Sequence, residues 1–256
     1  MFLDLCLLAS DLNPTYYEFF PLVYHYWTVK IGIACKLVLI VDDNFTVLPD
    51  VLLPFENDII VFRRVADIPT GFQAQCIRIL YPALLVQYNA IILSDMDILP
   101  LQKEYFVEKI TKYDENSFVV YRNVIKEYKQ YPICYCVASP STYRYIFNID
   151  NENDIKTTLK NWYTTNDYLI SSPHSTMWCQ DQVKLFEYIQ NKRKTLQLVE
   201  LNDFTTKFRR LDRLIIDDIS KNIARYNEEL NKNVYTDFHL PRPLTQFVEL
   251  FKNLGL

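Results

Sequence analysis

Short, unbroken apolar runs recur along the chain, separated by stretches with helical spacing. Residues 3–9, 35–41 and 90–93 are runs of strand length without polar alternation, the pattern of strands covered on both faces. Residues 58–62 form a shorter run of the same kind. Between the first two runs, Pro14 to about Lys30 reads as one helix, with Asn13 as its N-cap and Pro14 at the first helical position. Gly71 to about Gln87 reads as a second helix, which Pro82 should kink. This β-α-β-α-β order predicts an α/β fold, with a parallel or mixed sheet covered by helices on both faces. Further on, residues 117–121, 133–138 and 195–200 have strand character, while Pro140–Phe147, 154–163 and 179–191 have helical character. From about Asn202 the pattern becomes irregular and more charged. With no internal repeat and no low-complexity linker, the expectation is a single domain over residues 1–256. Its core covers about 1–200, and the irregular segment of about 201–256 folds back over the site.

Composition narrows the chemistry. Half of the 256 residues are hydrophobic, enough for a substantial core. The net charge of −4 argues against a nucleic-acid partner, which would need a basic surface; one local basic cluster stands at Lys207, Arg209, Arg210 and Arg213. Only three glycines occur, Gly32, Gly71 and Gly255, so neither a Walker A loop nor a Gly-x-Gly-x-x-Gly turn can be built. A phosphate would have to be met by a metal or by cationic side chains. The six cysteines fall mostly in apolar runs and read as buried thiols; Cys134-x-Cys136 has the wrong spacing for zinc. The opening residues 1–9 lack a basic flank and carry Asp4, so they read as a first strand and not as a signal peptide. No apolar stretch approaches the ~20 residues that span a bilayer. The expectation is a soluble, cytoplasmic protein.

The most informative segment is Leu93-Ser94-Asp95-Met96-Asp97-Ile98-Leu99-Pro100. Two carboxylates stand one residue apart where a buried strand ends, the position at which open α/β sheets bind ligands. Hard oxygen donors there suit Mg²⁺ or Mn²⁺ carrying a diphosphate, although an Asp-x-Asp alone also arises as a solvated loop. Arg78 lies among apolar neighbours on the preceding helix, so its guanidinium needs an anion: a diphosphate or the aspartates. Asp11 and Asn13 follow the first strand and either cap the next helix or hold a base or ribose. Asp181-Gln182 opens a helix, where an acid is favoured by the dipole and where a sugar contact is the alternative. Of the three histidines, His25 reads as packed and His174 as a loop residue. His239, three residues before Arg242, has the chemistry to join two aspartates around Mn²⁺, or is a surface loop residue.

In order along the chain, these pieces resemble a GT-A glycosyltransferase of the retaining glycogenin and bacterial galactosyltransferase group. Ala9-Ser10-Asp11-Leu12-Asn13 resembles the family's first-strand motif, and Cys76-Ile77-Arg78-Ile79-Leu80 its arginine helix, with Arg78 17 residues before Asp95. Residues 93–99 resemble its Asp-x-Asp strand end, Asp181-Gln182 its donor-sugar pair, and His239 with Arg242-Pro243 its C-terminal ligand and phosphate contact. The chain departs from the family in carrying Arg242 where a Lys is usual. The glycine of the C-terminal motif is absent, and no Asn-x-Gly occurs in residues 131–139. The resemblance implies a metal-dependent transferase moving a sugar from a nucleoside-diphosphate donor, UDP favoured, with retention favoured over inversion. It implies Asp95, Asp97 and His239 as ligands of Mn²⁺ or Mg²⁺, and Asp11, Asn13, Arg78, Asp95 and Arg242 as donor contacts. Asp181 and Gln182 fall beside the anomeric carbon, and the acceptor is a glycan, protein or lipid. A catalytically silent nucleotide-sugar-binding module is the alternative. A haloacid-dehalogenase-like phosphatase fits less well, because Leu99 occupies the place of its Thr or Val.

Overall fold

The apolar runs become the centre of a seven-stranded sheet. The computed structural model describes residues 1–164 and 179–256. The strands are β1 (Leu5–Asp11), β2 (Ala34–Val41), β3 (Ile59–Arg63), β4 (Ile91–Leu93), β5 (Ile98–Pro100), β6 (Ser117–Val120), β7 (Cys136–Ala138), β8 (Gln197–Glu200), β9 (Arg210–Asp212) and β10 (Asp237–His239). The main sheet runs β3-β2-β1-β4-β7-β6-β8. It is mixed and mostly parallel, with β7 antiparallel to both of its neighbours. Along β1, Cys6 and Leu8 enter one core while Leu5 and Leu7 enter the other. Ile92 and Ile91 divide in the same way on β4. Both faces are thus buried, which is why these strands show no polar alternation.

The chain leaves β1 toward β2 and β3 on one side, and β4 pairs with β1 on the other. Such a reversal opens a crevice beyond the carboxyl ends of the two central strands. Asp11 ends β1, and Asp95 and Asp97 follow β4, so both arrive at that crevice.

The expected long first helix is three pieces: Pro14–Tyr17, Phe20–His25 and a wider turn over Tyr26–Ile31. Pro21 has no N–H to continue the first piece, and Gly32, at φ +83°, ends the last in the left-handed region. Asn13 caps the first piece as expected, its Oδ1 accepting from Thr15 N–H at 3.0 Å. The second helix runs only over Thr70–Leu80; Pro82 ends it in a single tight turn, Tyr81–Leu84, instead of kinking it.

Helix Thr70–Leu80 carries Arg78, and its start is fixed by Gln73. This fully buried amide accepts from Val65 N–H at 2.8 Å and donates to the carbonyls of Val65 and Ile68 at 2.9 and 2.8 Å. Gln73→Ala strands three backbone groups away from water. The expected cost is about 3 kcal/mol, read from urea denaturation followed by circular dichroism; a loss under about 0.5 kcal/mol would show that the loop re-satisfies itself.

The irregular C-terminal segment supplies β9 and β10 of a second sheet, β5-β10-β9. β10 pairs antiparallel with β5, placing His239 opposite Ile98, and parallel with β9, placing His239 opposite Asp212. Leu240 N–H donates to the carbonyl of Asp97 at 2.8 Å, extending the pairing to the second aspartate itself. Arg210 clamps the buried Asp237 through two bonds of 2.9 and 2.6 Å, and the Tyr135 hydroxyl adds a third at 2.7 Å. Among the described residues, no helix is long and apolar enough to cross a membrane.

Candidate active site

A cavity of about 440 Å³ occupies the crevice. Asp11, Asn13, Arg78, Asp95, Asp97, Gln182, His239 and Arg242 all line it. They come from strand ends, two helices and the second sheet, so the fold gathers residues spread over most of the sequence.

At one end, the Asp11 carboxylate accepts from the Thr70 hydroxyl at 2.8 Å and from Asn13 N–H at 3.2 Å. It thereby ties β1 to the start of helix Thr70–Leu80. The side-chain oxygen of Asn13 is engaged in its cap, which leaves its amide nitrogen as the donor to offer a ligand.

In the middle, Arg78 reaches from its helix to two carboxylates. Its Nη1 contacts Asp95 Oδ1, while Nε and Nη2 both reach Asp181 Oδ2, the first at 3.0 Å. Burial disfavours the charge on Asp95, but Arg78, the neighbouring Cys134 thiol and His239 outweigh it and lower its pKa to about 2. Asp95 N–H donates to Cys134 Sγ at 3.1 Å. Asp181 shifts the other way: burial pushes it above the usual carboxylate range, and Arg78 offsets only part of that. Asp181 differs from the sugar contact expected of it. It is 0% exposed and lies behind the cavity wall, held by Arg78, while its neighbour Gln182 faces the cavity.

At the far end, Asp97 gathers two guanidinium groups and an imidazole. Its Oδ2 lies 2.8 Å from Arg213 Nη1, 3.3 Å from Arg242 Nε and 3.4 Å from His239 Nε2. Arg242 also reaches the Tyr16 hydroxyl, with its guanidinium 5.1 Å from the centre of that ring. Three guanidinium groups therefore converge on one crevice, the arrangement a glycine-poor chain needs to meet phosphate.

Among the described residues, no three of the His, Cys, Asp and Glu side chains are grouped to hold a metal ion as they stand. Two of the expected ligands are adjacent: Asp97 and His239, an oxygen and an imidazole nitrogen 3.4 Å apart, a donor pair that fits Mn²⁺. The third, Asp95, is turned to Arg78.

No protein-family model matches the sequence, and no curated protein is similar to it. Solved structures do resemble it. The glycosyltransferase GlyE of Streptococcus pneumoniae TIGR4 superposes with a TM-score of 0.50 at 11% identity, over 100% of this chain and 61% of GlyE. The galactosyltransferase LgtC, solved with donor and acceptor sugar analogs, superposes with a TM-score of 0.50 at 10% identity, over 98% of this chain and 95% of LgtC. The chain has the GT-A fold. It spans about three-fifths of the length of GlyE and nearly all of LgtC.

On this GT-A scaffold, cavity-lining residues given no site role from sequence include Arg213, Tyr16, Phe72, Met96 and Gln75. The basic cluster around Arg213 dissolves in three dimensions. Arg210 pairs with Asp237, Arg213 turns to Asp97, and Arg209 lies over the Tyr235 ring. His25 is exposed instead of packed. His174 lies outside the described residues.

Proposed function

We propose that this protein is a glycosyltransferase that takes its sugar from a nucleoside-diphosphate donor, UDP favoured, with a divalent cation, Mn²⁺ or Mg²⁺. The observation that carries this reading is the convergence of Asp11, Arg78, Asp95, Asp97, Gln182, His239 and Arg242 on one cavity at the switch point of a GT-A sheet. Asp97 and His239 would hold the cation, joined by Asp95 on turning away from Arg78. When bound, the cation offsets negative charge developing on the departing diphosphate.

The chain's own residues supply the rest. Asp11 and the Asn13 amide hold the nucleoside, next to the Tyr16 ring. Arg78, Arg213 and Arg242 receive the diphosphate oxygens, and Gln182 faces the sugar. Asp181 acts through Arg78, keeping the guanidinium aimed at Asp95 and the cavity. Phe72 and Met96 give the wall apolar surface that limits water near the reacting bond.

The family resemblance favours retention, and Asp181, one carboxylate that an inverting enzyme could use as base, is buried and bound to Arg78. An α-linked donor should give an α-linked product in the proton NMR spectrum; a β product would remove the retaining assignment. The general test is a thermal-shift panel of nucleotide sugars, with and without Mn²⁺. A donor at 100 times its Kd stabilises the native state by about 2.7 kcal/mol. UDP-sugars with Mn²⁺ should raise the melting temperature and be slowly hydrolysed without acceptor. A panel with neither shift nor hydrolysis sinks the proposal, while a shift without hydrolysis points to a silent binding module.

A further inference from the structure

Asp212 is not among the residues lining the cavity, yet it faces His239, which is. The register of β9 on β10 sets Asp212 opposite His239, so the two side chains share a face. Asp212 Oδ2 lies 3.5 Å from His239 Nδ1. Its other oxygen accepts from Leu214 N–H at 2.9 Å, capping the turn Arg213–Ile215. One oxygen is thus tied to the main chain, and that bond aims the other at the imidazole. The opposite ring nitrogen, Nε2, faces Asp97.

We propose that Asp212 is a positioning residue that orients the His239 ring, with Nδ1–H toward Asp212 and the Nε2 lone pair toward Asp97, so that His239 and Asp97 stand ready as a nitrogen–oxygen pair for a divalent cation. The inference rests on the cation-dependent reading above. A carboxylate behind a metal-ligating histidine fixes its tautomer and raises its basicity, and its loss typically weakens metal binding about 10- to 100-fold. The same cap also shapes the turn that delivers Arg213 to Asp97.

Asn at this position separates the two duties. Its single carbonyl oxygen can keep the cap on Leu214, but its NH₂ then faces Nδ1 and favours the wrong tautomer. Mn²⁺ binding to the whole, sugar-free protein with UDP present, read by electron paramagnetic resonance, tests the proposal on wild type and on Asp212→Asn, Asp212→Ala and His239→Ala. The expected result is that Asp212→Asn keeps the wild-type melting temperature yet binds Mn²⁺ about tenfold more weakly, with Asp212→Ala at least as weak. Wild-type affinity in Asp212→Asn, alongside a weakened His239→Ala, overturns the positioning role and leaves the cation site standing. If wild type binds no Mn²⁺, or His239→Ala binds it unchanged, the cation reading itself falls and this inference with it.

Discussion

Arg78→Met should be the most destabilising single change at the site, by about 3–5 kcal/mol, because it leaves a buried carboxylate without its cation. Asp181 is fully buried and depends on Arg78; its Oδ1 accepts from the adjacent Gln182 N–H at 2.8 Å. The two aspartates give the loss a pH signature. Asp181, raised by burial, contributes stability that is fully present below its unfolded pKa and is lost as pH rises through its folded value. Without Arg78 that folded value climbs further. Asp95, lowered to about 2, contributes stability that is present above its unfolded pKa and lost as pH falls through about 2. Removing Arg78 removes most of that contribution at neutral pH. Both effects make the gap between wild type and variant wider at pH 8 than at pH 4, as measured by urea midpoints. The double variant Arg78→Met/Asp181→Leu replaces the ion pair by apolar groups and should recover most of the stability. It should not recover transfer, which on the proposed reading needs the guanidinium on the diphosphate side and should stay down by roughly 10²–10³. A double variant as unstable as the single one would show that the uncompensated buried charge is not the cause.

The parts of this site that local pattern reveals differ from the parts it hides for a definite reason. β1, β2 and β4 are buried on both faces, so a continuous apolar run announces them, and the residues just past their ends follow. Asp11, Asp95 and Asp97 were visible in this way. The second sheet is built of three-residue strands such as Arg210-Leu211-Asp212, too short to show a period. Its existence depends on β10 meeting β5 across some 140 residues, which no local pattern encodes. Imidazole chemistry and the family resemblance point to His239, and the resemblance alone to Arg242, while nothing local assigns Arg213 or Asp212 to the site. The burial of Asp181 was legible after all. It precedes Leu185 and Ile189 at intervals of four, which places all three on one helix face, and both leucine and isoleucine are buried. The first helix is shorter than its pattern suggests because a capping Asn13-Pro14 pair marks a start, while Pro21 about two turns later interrupts it.

Asp97→Ala should lower transfer by about a thousandfold while leaving the fold in place. The backbone contact here, Leu240 N–H to the Asp97 carbonyl, extends the pairing of β5 with β10 and survives truncation of the side chain. The lost carboxylate is another matter. Arg213, Arg242 and His239 all face its Oδ2, and without it two fixed positive charges and an imidazole confront one another across the space it filled. The guanidinium groups should then swing apart, so the variant loses both the proposed cation ligand and the alignment of two diphosphate contacts. Asp97→Asn distinguishes these losses. It keeps an acceptor oxygen for Arg213 and the shape of the side chain, but gives up the charge that a divalent ion requires. The expected order is wild type far above Asp97→Asn, with Asp97→Asn at or slightly above Asp97→Ala, and melting temperatures within a few degrees of one another. Saturation with Mn²⁺ should rescue Asp97→Asn in part, because its carbonyl oxygen still completes the proposed set with His239 and Asp95, and should not rescue Asp97→Ala, which offers no oxygen there. Donor turnover near the wild-type rate in a folded Asp97→Ala protein would remove Asp97 from the reaction. The cluster of cations around it would then be read as a structural ion-pair network.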